Sequence, residues 1–255
     1  MSTVEKIGDI KLRLESDHVA EVELCRPPEN FFDSPMIESI AEAFERLEAS
    51  ECRAIVLCSQ GKHFCAGANL NRSGGNDTEK LYDAAVRLFA PGPPVLAAIQ
   101  GAAVGGGLGL ALMPDFRIAT PVARFSANFS QLGFHQGFGL SVTLPRLVGP
   151  QVAQEMLYTG RRIPGEEALR LGLCDRLVPQ AALRAEALAF AQEIARAAPL
   201  AVRSIRQTLR ANLAEEIRIA TAHEAAEQAR LQKTADFREG VRAMTERRQP
   251  LFKGR

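Results

Sequence analysis

Apolar and polar residues alternate along 10–14 and again along 19–24, with Ser16-Asp17-His18 between them. A period of two on either side of a polar turn predicts a β-hairpin. From 35 to 49 the period lengthens. Met36, Ile37, Ile40, Ala43, Phe44 and Leu47 recur at helical spacing, so a helix is expected, with Ser34 as its N-cap and Pro35 at the first helical position. Arg53 to Cys58 reads as a short buried strand. The polar, Gly-rich stretch Arg72-Ser73-Gly74-Gly75-Asn76-Asp77 is expected to be a mobile surface loop ahead of a short amphipathic helix at 78–90.

The pattern then recurs: strand 95–99, a turn, helix 106–113, strands 115–119 and 123–127. A second Gly-rich loop, Gly133 to Gly139, leads into a helix that carries Leu144 and Leu147. Strands alternating with helices predict an α/β fold with parallel pairing. Beyond residue 150 the chain reads as almost wholly helical, with Ala-rich segments at 180–197, 200–213, 215–232 and 235–247. Pro199 marks a change of composition, so residues 1–197 are expected to form the core and 198–255 a helical appendage. These last helices are too polar for a core of their own. They are expected to cover the main body or a neighbouring subunit.

Composition narrows the class. The 255 residues, 46% of them apolar, can fill one large domain. With 31 basic and 30 acidic residues the net charge is +1, which gives no reason to expect nucleic acid or an anionic membrane as partner. Cys25, Cys52, Cys58, Cys65 and Cys174 lack paired spacing, so neither a disulfide framework nor a zinc site is expected. No metal is assigned, and reduced thiols fit a cytoplasmic protein. The first residues, Met1-Ser2-Thr3-Val4-Glu5-Lys6, lack the apolar stretch of a signal peptide. No apolar run reaches the roughly 18 residues of a membrane span.

Two small-residue turns stand out, each shortly after an apolar strand: His63-Phe64-Cys65-Ala66-Gly67-Ala68-Asn69-Leu70 and Gly101-Ala102-Ala103-Val104-Gly105-Gly106-Gly107-Leu108-Gly109. Small residues expose backbone N–H groups and let a ligand approach the main chain. Two such turns on neighbouring strands can aim two donors at one oxygen, which is what an oxyanion hole requires.

With these turns in place, the chain resembles the crotonase family, the enoyl-CoA hydratase/isomerase group, over nearly its whole length. The resemblance rests on an ordered set: Cys25-Arg26-Pro27, the two turns, Asp115-Phe116-Arg117-Ile118-Ala119, Leu132-Gly133-Phe134 and Leu144-Pro145-Arg146-Leu147-Val148-Gly149. It continues through Thr159-Gly160-Arg161-Arg162-Ile163, Ala168 to Leu173, and Glu239-Gly240 with Glu246-Arg247-Arg248. The resemblance implies a spiral of repeated ββα units with a C-terminal helical region, assembled as a homotrimer or as a hexamer of two trimers. It also implies an acyl-CoA thioester as substrate, with coenzyme A part of that substrate rather than a separate cofactor. The amides of Ala68 and Gly106 would form the oxyanion hole. Arg26, Ala66, Gly67, Asn69 and Leu70 map to the CoA-facing surface. Tyr82, Val104, Gly105, Gly109, Phe129 and Leu132 map around the acyl end, and Met244 and Arg247 to positions that reach a neighbour's CoA in some relatives.

The sequence departs from the family where proton transfer is concerned. The two positions that carry glutamates in hydratases hold Gly109 and Phe129, and the loop position that carries aspartate in some relatives holds Gly137. His135 in the loop is the remaining imidazole near the expected acyl end and the candidate acid or base. His63, Tyr82 and Asp83 are weaker candidates. Asn69, Asn128, Ser130 and Gln131 are read as turn residues that could also bind a polar group, and Cys65 as packing. Isomerisation or decarboxylation through an enolate therefore fits better than hydration. A thioester hydrolase and a non-catalytic acyl-CoA-binding protein remain open alternatives.

Overall fold

The computed structural model describes residues 4–15, 17–68, 77–90 and 92–255. Its first strands are β1 (Val4–Ile7), β2 (Ile10–Leu14) and β3 (Val19–Leu24), each antiparallel to the next. β2 and β3 are the expected hairpin. β1 is an additional edge strand whose first three residues are exposed, so no alternation announces it.

Helix α1 (Ser34–Glu48) begins one residue earlier than expected. Its N-cap is Asp33 rather than Ser34: Asp33 is extended at φ −137°, and its carboxylate accepts from the Met36 amide at 3.2 Å. A carboxylate there also meets the positive end of the helix dipole, which a hydroxyl cannot do.

The middle of the chain comprises β4 (Ala54–Ser59), α2 (Asp77–Arg87), β5 (Val95–Ile99), β6 (Ala102–Val104), α3 (Gly106–Leu112), β7 (Phe116–Ala119), β8 (Arg124–Ser126) and α4 (Leu140–Thr159). It is followed by β9 (Ile163–Pro164), α5 (Gly165–Leu171), β10 (Arg176–Leu177), α6 (Leu183–Ala195), α7 (Pro199–Leu209), α8 (Leu213–Leu231) and α9 (Ala235–Glu246). Apart from the two-residue strands β9 and β10, the stretch after 150 is mostly helical, as expected.

Among the described residues the strands form two sheets. The larger has the order β1-β2-β3-β4-β5-β7-β10, parallel from β3 onward, and the smaller has the order β6-β8-β9. β5 and then β6, β7 and then β8, give one strand to each sheet. Repeating that step winds the chain into the spiral of ββα units that the family resemblance implies. β6 lies where only a turn was expected: Ala-Ala-Val carries no strand pattern, and parallel pairing with Arg124–Ser126 makes it a strand.

Strand β4 is buried along its whole length, which explains its unbroken apolar run. Ile55 and Leu57 face the main core, whereas Ala54, Val56 and Cys58 face a second layer. That layer is closed by α6, whose Leu183, Ala187, Ala191 and Ala195 repeat every fourth residue and bury one helical stripe. Helix α7 is fixed to the body by charge. Asp115 accepts from the Val95 amide at 2.8 Å, from Arg206 Nε at 2.9 Å and from Arg210 Nη1 at 2.8 Å. Helix α8 packs on α2 and α4. Helix α9 packs on the 3-10 turn Ser130–Leu132, where a Cβ at Gly240 would lie 2.5 Å from the Leu132 carbonyl. No helix among the described residues is long and apolar enough to cross a membrane.

Candidate active site

The two small-residue turns are joined by backbone. Cys65 and Ala103 form a parallel bridge, with the Cys65 amide donating to the Ala102 carbonyl and the Val104 amide to the Cys65 carbonyl, both at 3.0 Å. The Phe32 amide donates to the Gly67 carbonyl at 3.0 Å on the other side. Ala68 therefore stands three residues beyond the bridge on one turn, and Gly106 three residues beyond it on the other. The contact leaves no room for side chains. A Cβ at Gly107 would lie 2.1 Å from the Cys65 carbonyl oxygen, and one at Gly67 would lie 2.8 Å from that of Val104. Gly67 and Gly105 also take φ +100° and +57°, conformations that favour glycine.

Gly106 opens α3, where backbone N–H groups have no partner within the helix. Among the described residues, neither its amide nor that of Ala68 donates to a backbone carbonyl, and both residues are half-buried. The result is a pair of main-chain donors on adjoining turns, one of them at a helix start. An oxygen carrying partial negative charge is what such a pair can hold. Cys65 is ill suited to act as a nucleophile: burial pushes its thiol up to about 12, and it donates to the Asn30 carbonyl at 3.1 Å. The packing reading of Cys65 is thus the one the geometry carries.

The rest of the site is aromatic. One helical turn beyond Gly106, a Cβ at Gly109 would lie 2.6 Å from that of Phe138. Phe138 is fully buried and packs on Phe32 with centroids 5.3 Å apart, and a Cβ at Gly106 would meet the Phe32 ring at 2.6 Å. Phe129 is buried beside Gly105 and packs on Phe134, which in turn packs on Phe237 of α9. Neither Gly109 nor Phe129 can move a proton.

The loop 133–139 is held from behind by polar groups that the sequence reading missed. The Gln228 side chain accepts from the Tyr82 hydroxyl at 2.9 Å and donates to the His135 carbonyl at 3.0 Å. Glu224, fully buried one turn earlier on α8, accepts from the Gly139 amide at 2.8 Å and from the Ser141 amide and hydroxyl at 3.0 and 2.7 Å. This places a carboxylate at the start of α4, where the dipole favours it. Burial, followed by the Glu224 charge, pushes the Tyr82 phenol well above its ordinary value, so it remains a hydrogen-bond donor. The i, i+4 spacing of Glu224 and Gln228 was the available signal, hidden in a helix rich in Glu and Gln.

The other expected residues are dispersed. His135 is half-buried, its Nδ1 is 2.9 Å from the Gln136 carbonyl, and its ring lies edge-on to His223 at 5.6 Å. Arg26 is engaged by Asp9 at 2.7 Å and Asp33 at 2.8 Å. Ala66 and Val104 are half-buried beside the bridge. Leu132, Met244 and Arg247 line an open groove of about 930 Å³ with Asn128, Tyr158 and Phe252. His63 accepts from the Ala102 amide at 3.3 Å, a role in the turn, and Asp83 is exposed. Asn69, Leu70 and the stretch 72–76 lie outside the described residues. Among the described residues no group of three His, Cys, Asp or Glu side chains is placed to hold a metal ion.

Comparison with known proteins gives one family. The sequence pattern of the enoyl-CoA hydratase/isomerase family matches residues 15–255. Among curated relatives, (E)-benzylidenesuccinyl-CoA hydratase of Thauera aromatica is 36% identical over 94% of this chain and 97% of its own length. Carnitinyl-CoA dehydratase of Citrobacter koseri is 32% identical over 93% and 95%. Among solved structures, an enoyl-CoA hydratase/isomerase from Pseudoalteromonas atlantica T6c superimposes with a TM-score of 0.85 at 29% identity, covering 96% of this chain and all of that one.

Proposed function

The chain belongs to the enoyl-CoA hydratase/isomerase family of acyl-CoA-processing enzymes, and from that premise we propose that it forms a thioester enolate held by the Ala68 and Gly106 amides. The observation that carries this reading is the Cys65–Ala103 bridge, which sets the two turns side by side with neither donor spent on a backbone carbonyl among the described residues. Negative charge developing on the thioester oxygen would be met by two fixed N–H dipoles and the start of α3.

The residues around these amides support a reaction class. Gly109, Phe129 and Gly137 carry no acid or base, and two aromatic clusters dry the site. That favours enolate chemistry with little acid–base equipment over addition of water. In decarboxylation the bond from the α-carbon to its carboxylate breaks, its electron pair becomes the enolate, and carbon dioxide leaves. The α-carbon then takes a proton from water. Double-bond isomerisation needs a base that removes a proton from one carbon and returns it to another, and His135 is our candidate for that step. The thioester substrate brings its own coenzyme A, and we assign no further cofactor. We also infer a homotrimer or a dimer of trimers in the cytoplasm, with helices 198–255 at the subunit contacts; light scattering tests the assembly.

The experiment is product analysis by mass spectrometry on three CoA thioesters: a malonyl type, a 3-enoyl type and a 2-enoyl type. Loss of carbon dioxide or double-bond migration as the main reaction is expected. Water addition to the 2-enoyl thioester as the main reaction would refute the reading. Thioester cleavage would replace it with a hydrolase, and tight binding with no turnover would replace it with a binding protein.

A further inference from the structure

Phe138 is a bulky residue held at φ +60°, in the left-handed region that few side chains other than glycine adopt. Such a conformation persists where the surroundings over-determine it, and here they do. On one side a Cβ at Gly137 would lie 2.0 Å from the Tyr82 hydroxyl and 2.5 Å from the Gln228 amide nitrogen. On the other a Cβ at Gly139 would lie 2.7 Å from Ile217, and the Gly139 amide is bonded to Glu224. Gly137-Phe138-Gly139 is thus wedged against α2 and α8, and the ring between the two glycines is driven onto α3.

What the ring covers matters. Gly106 and Gly109 are one helical turn apart, so they lie on the same face of α3. One turn of helix is about 5.4 Å long. An acyl chain that runs from an oxygen at the Gly106 amide along this face of α3 passes Gly109, and Phe138 fills the space over it. The fit is mutual. Any side chain at 109 would collide with Phe138, and any retreat by Phe138 would open a void beside the acyl group.

We propose that Phe138 is a specificity-determining residue: its ring closes the acyl end of the site beside Gly109 and excludes thioesters with a bulky substituent near the carbonyl. This rests on the enolate reading above for the place of the thioester oxygen, and it extends that reading from the chemistry to the choice of acyl group.

Calorimetric titration of the full-length protein with butyryl-CoA and with 3-phenylpropionyl-CoA tests it, in the wild type, Phe138→Leu and Phe138→Ala, each checked for a cooperative melt. The wild type should prefer butyryl-CoA. Shortening the ring to Ala should shift the affinity ratio toward the phenyl thioester by about tenfold or more, with Leu between. Phe138→Leu keeps most of the packing volume and serves if Ala fails to fold. Phe32→Leu loosens the other half of the ring pair and should shift the ratio the same way. An unchanged ratio in the folded variants, with both thioesters bound, would overturn the role of Phe138 and leave the acyl-CoA reading standing. Failure of the wild type to bind either thioester would remove both.

Discussion

The two halves of the proposed site are built from different materials. The donor half is main chain: Ala68 and Gly106 on turns locked by the Cys65–Ala103 bridge and by glycines whose Cβ atoms would strike carbonyl oxygens. The facing half is side chain: Phe32 with Phe138, and Phe129 with Phe134 and Phe237. The difference teaches where chemistry can change without losing the fold. On the proposed reading, the rings at 138 and 129 leave the acyl end without a proton-transfer group, while the backbone that carries the amide pair is fixed separately by the bridge.

The comparison is most severely tested on the donor side. Ala68→Pro deletes one N–H outright. It is expected to reduce turnover by about 100-fold or more, equivalent to about 2.7–4 kcal/mol of transition-state stabilisation. Steady-state rates with melting curves on the same samples check it, and undiminished turnover in a folded variant would break the contrast. On the facing side, Glu224→Ala removes the acceptor of three hydrogen bonds behind the loop. A loss of about 3 kcal/mol of unfolding free energy is expected from urea titration.

A smaller effect sharpens the chemistry. His135→Ala should slow isomerisation about tenfold or more if the imidazole moves the proton. Decarboxylation, which needs no base, should change by less than about threefold. Equal loss of both would mean that the histidine supports the loop rather than the reaction.

The smallest effect concerns Tyr82. Its phenol titrates higher in the folded chain than in the unfolded one, because of burial and then the Glu224 charge. The native state therefore holds its proton more tightly. That contribution to stability is fully present below the ordinary tyrosine value of about 10 and is lost as pH rises through the folded value. Tyr82→Phe should cost about 1 kcal/mol at neutral pH and flatten the decline in stability above about pH 10. Denaturation series at pH 7 and at alkaline pH measure both.

The two small-residue turns were legible in the sequence because glycine spacing reports backbone conformation directly. Gly67, Gly105 and Gly107 stand where only glycine fits, and flanking apolar runs at β4 and β5 gave the strands. The facing half was only partly legible. Phe129 was read as standing where relatives carry an acid, but the pairing of Gly109 with Phe138 was not foreseen, since it joins positions 29 residues apart through a positive φ that Phe rarely adopts. Glu224 was hidden because a carboxylate on a Glu-rich helix reads as solvated until packing on α2 and α4 buries it. The cap of α1 shifted by one residue because Asp33 and Ser34 are adjacent capping types, and the sequence does not say which is extended.

The Cys65–Ala103 bridge also bears on inheritance. An N–H group is present whatever the codon specifies, proline excepted, so most missense changes at position 68 would keep the donor and alter only its surroundings. The rings have no such protection, and each is one replacement away from a differently shaped cavity. If the proposed amide pair holds the substrate oxygen, a lineage built on this plan would explore new substrates through its aromatic positions while that pair is passed on intact.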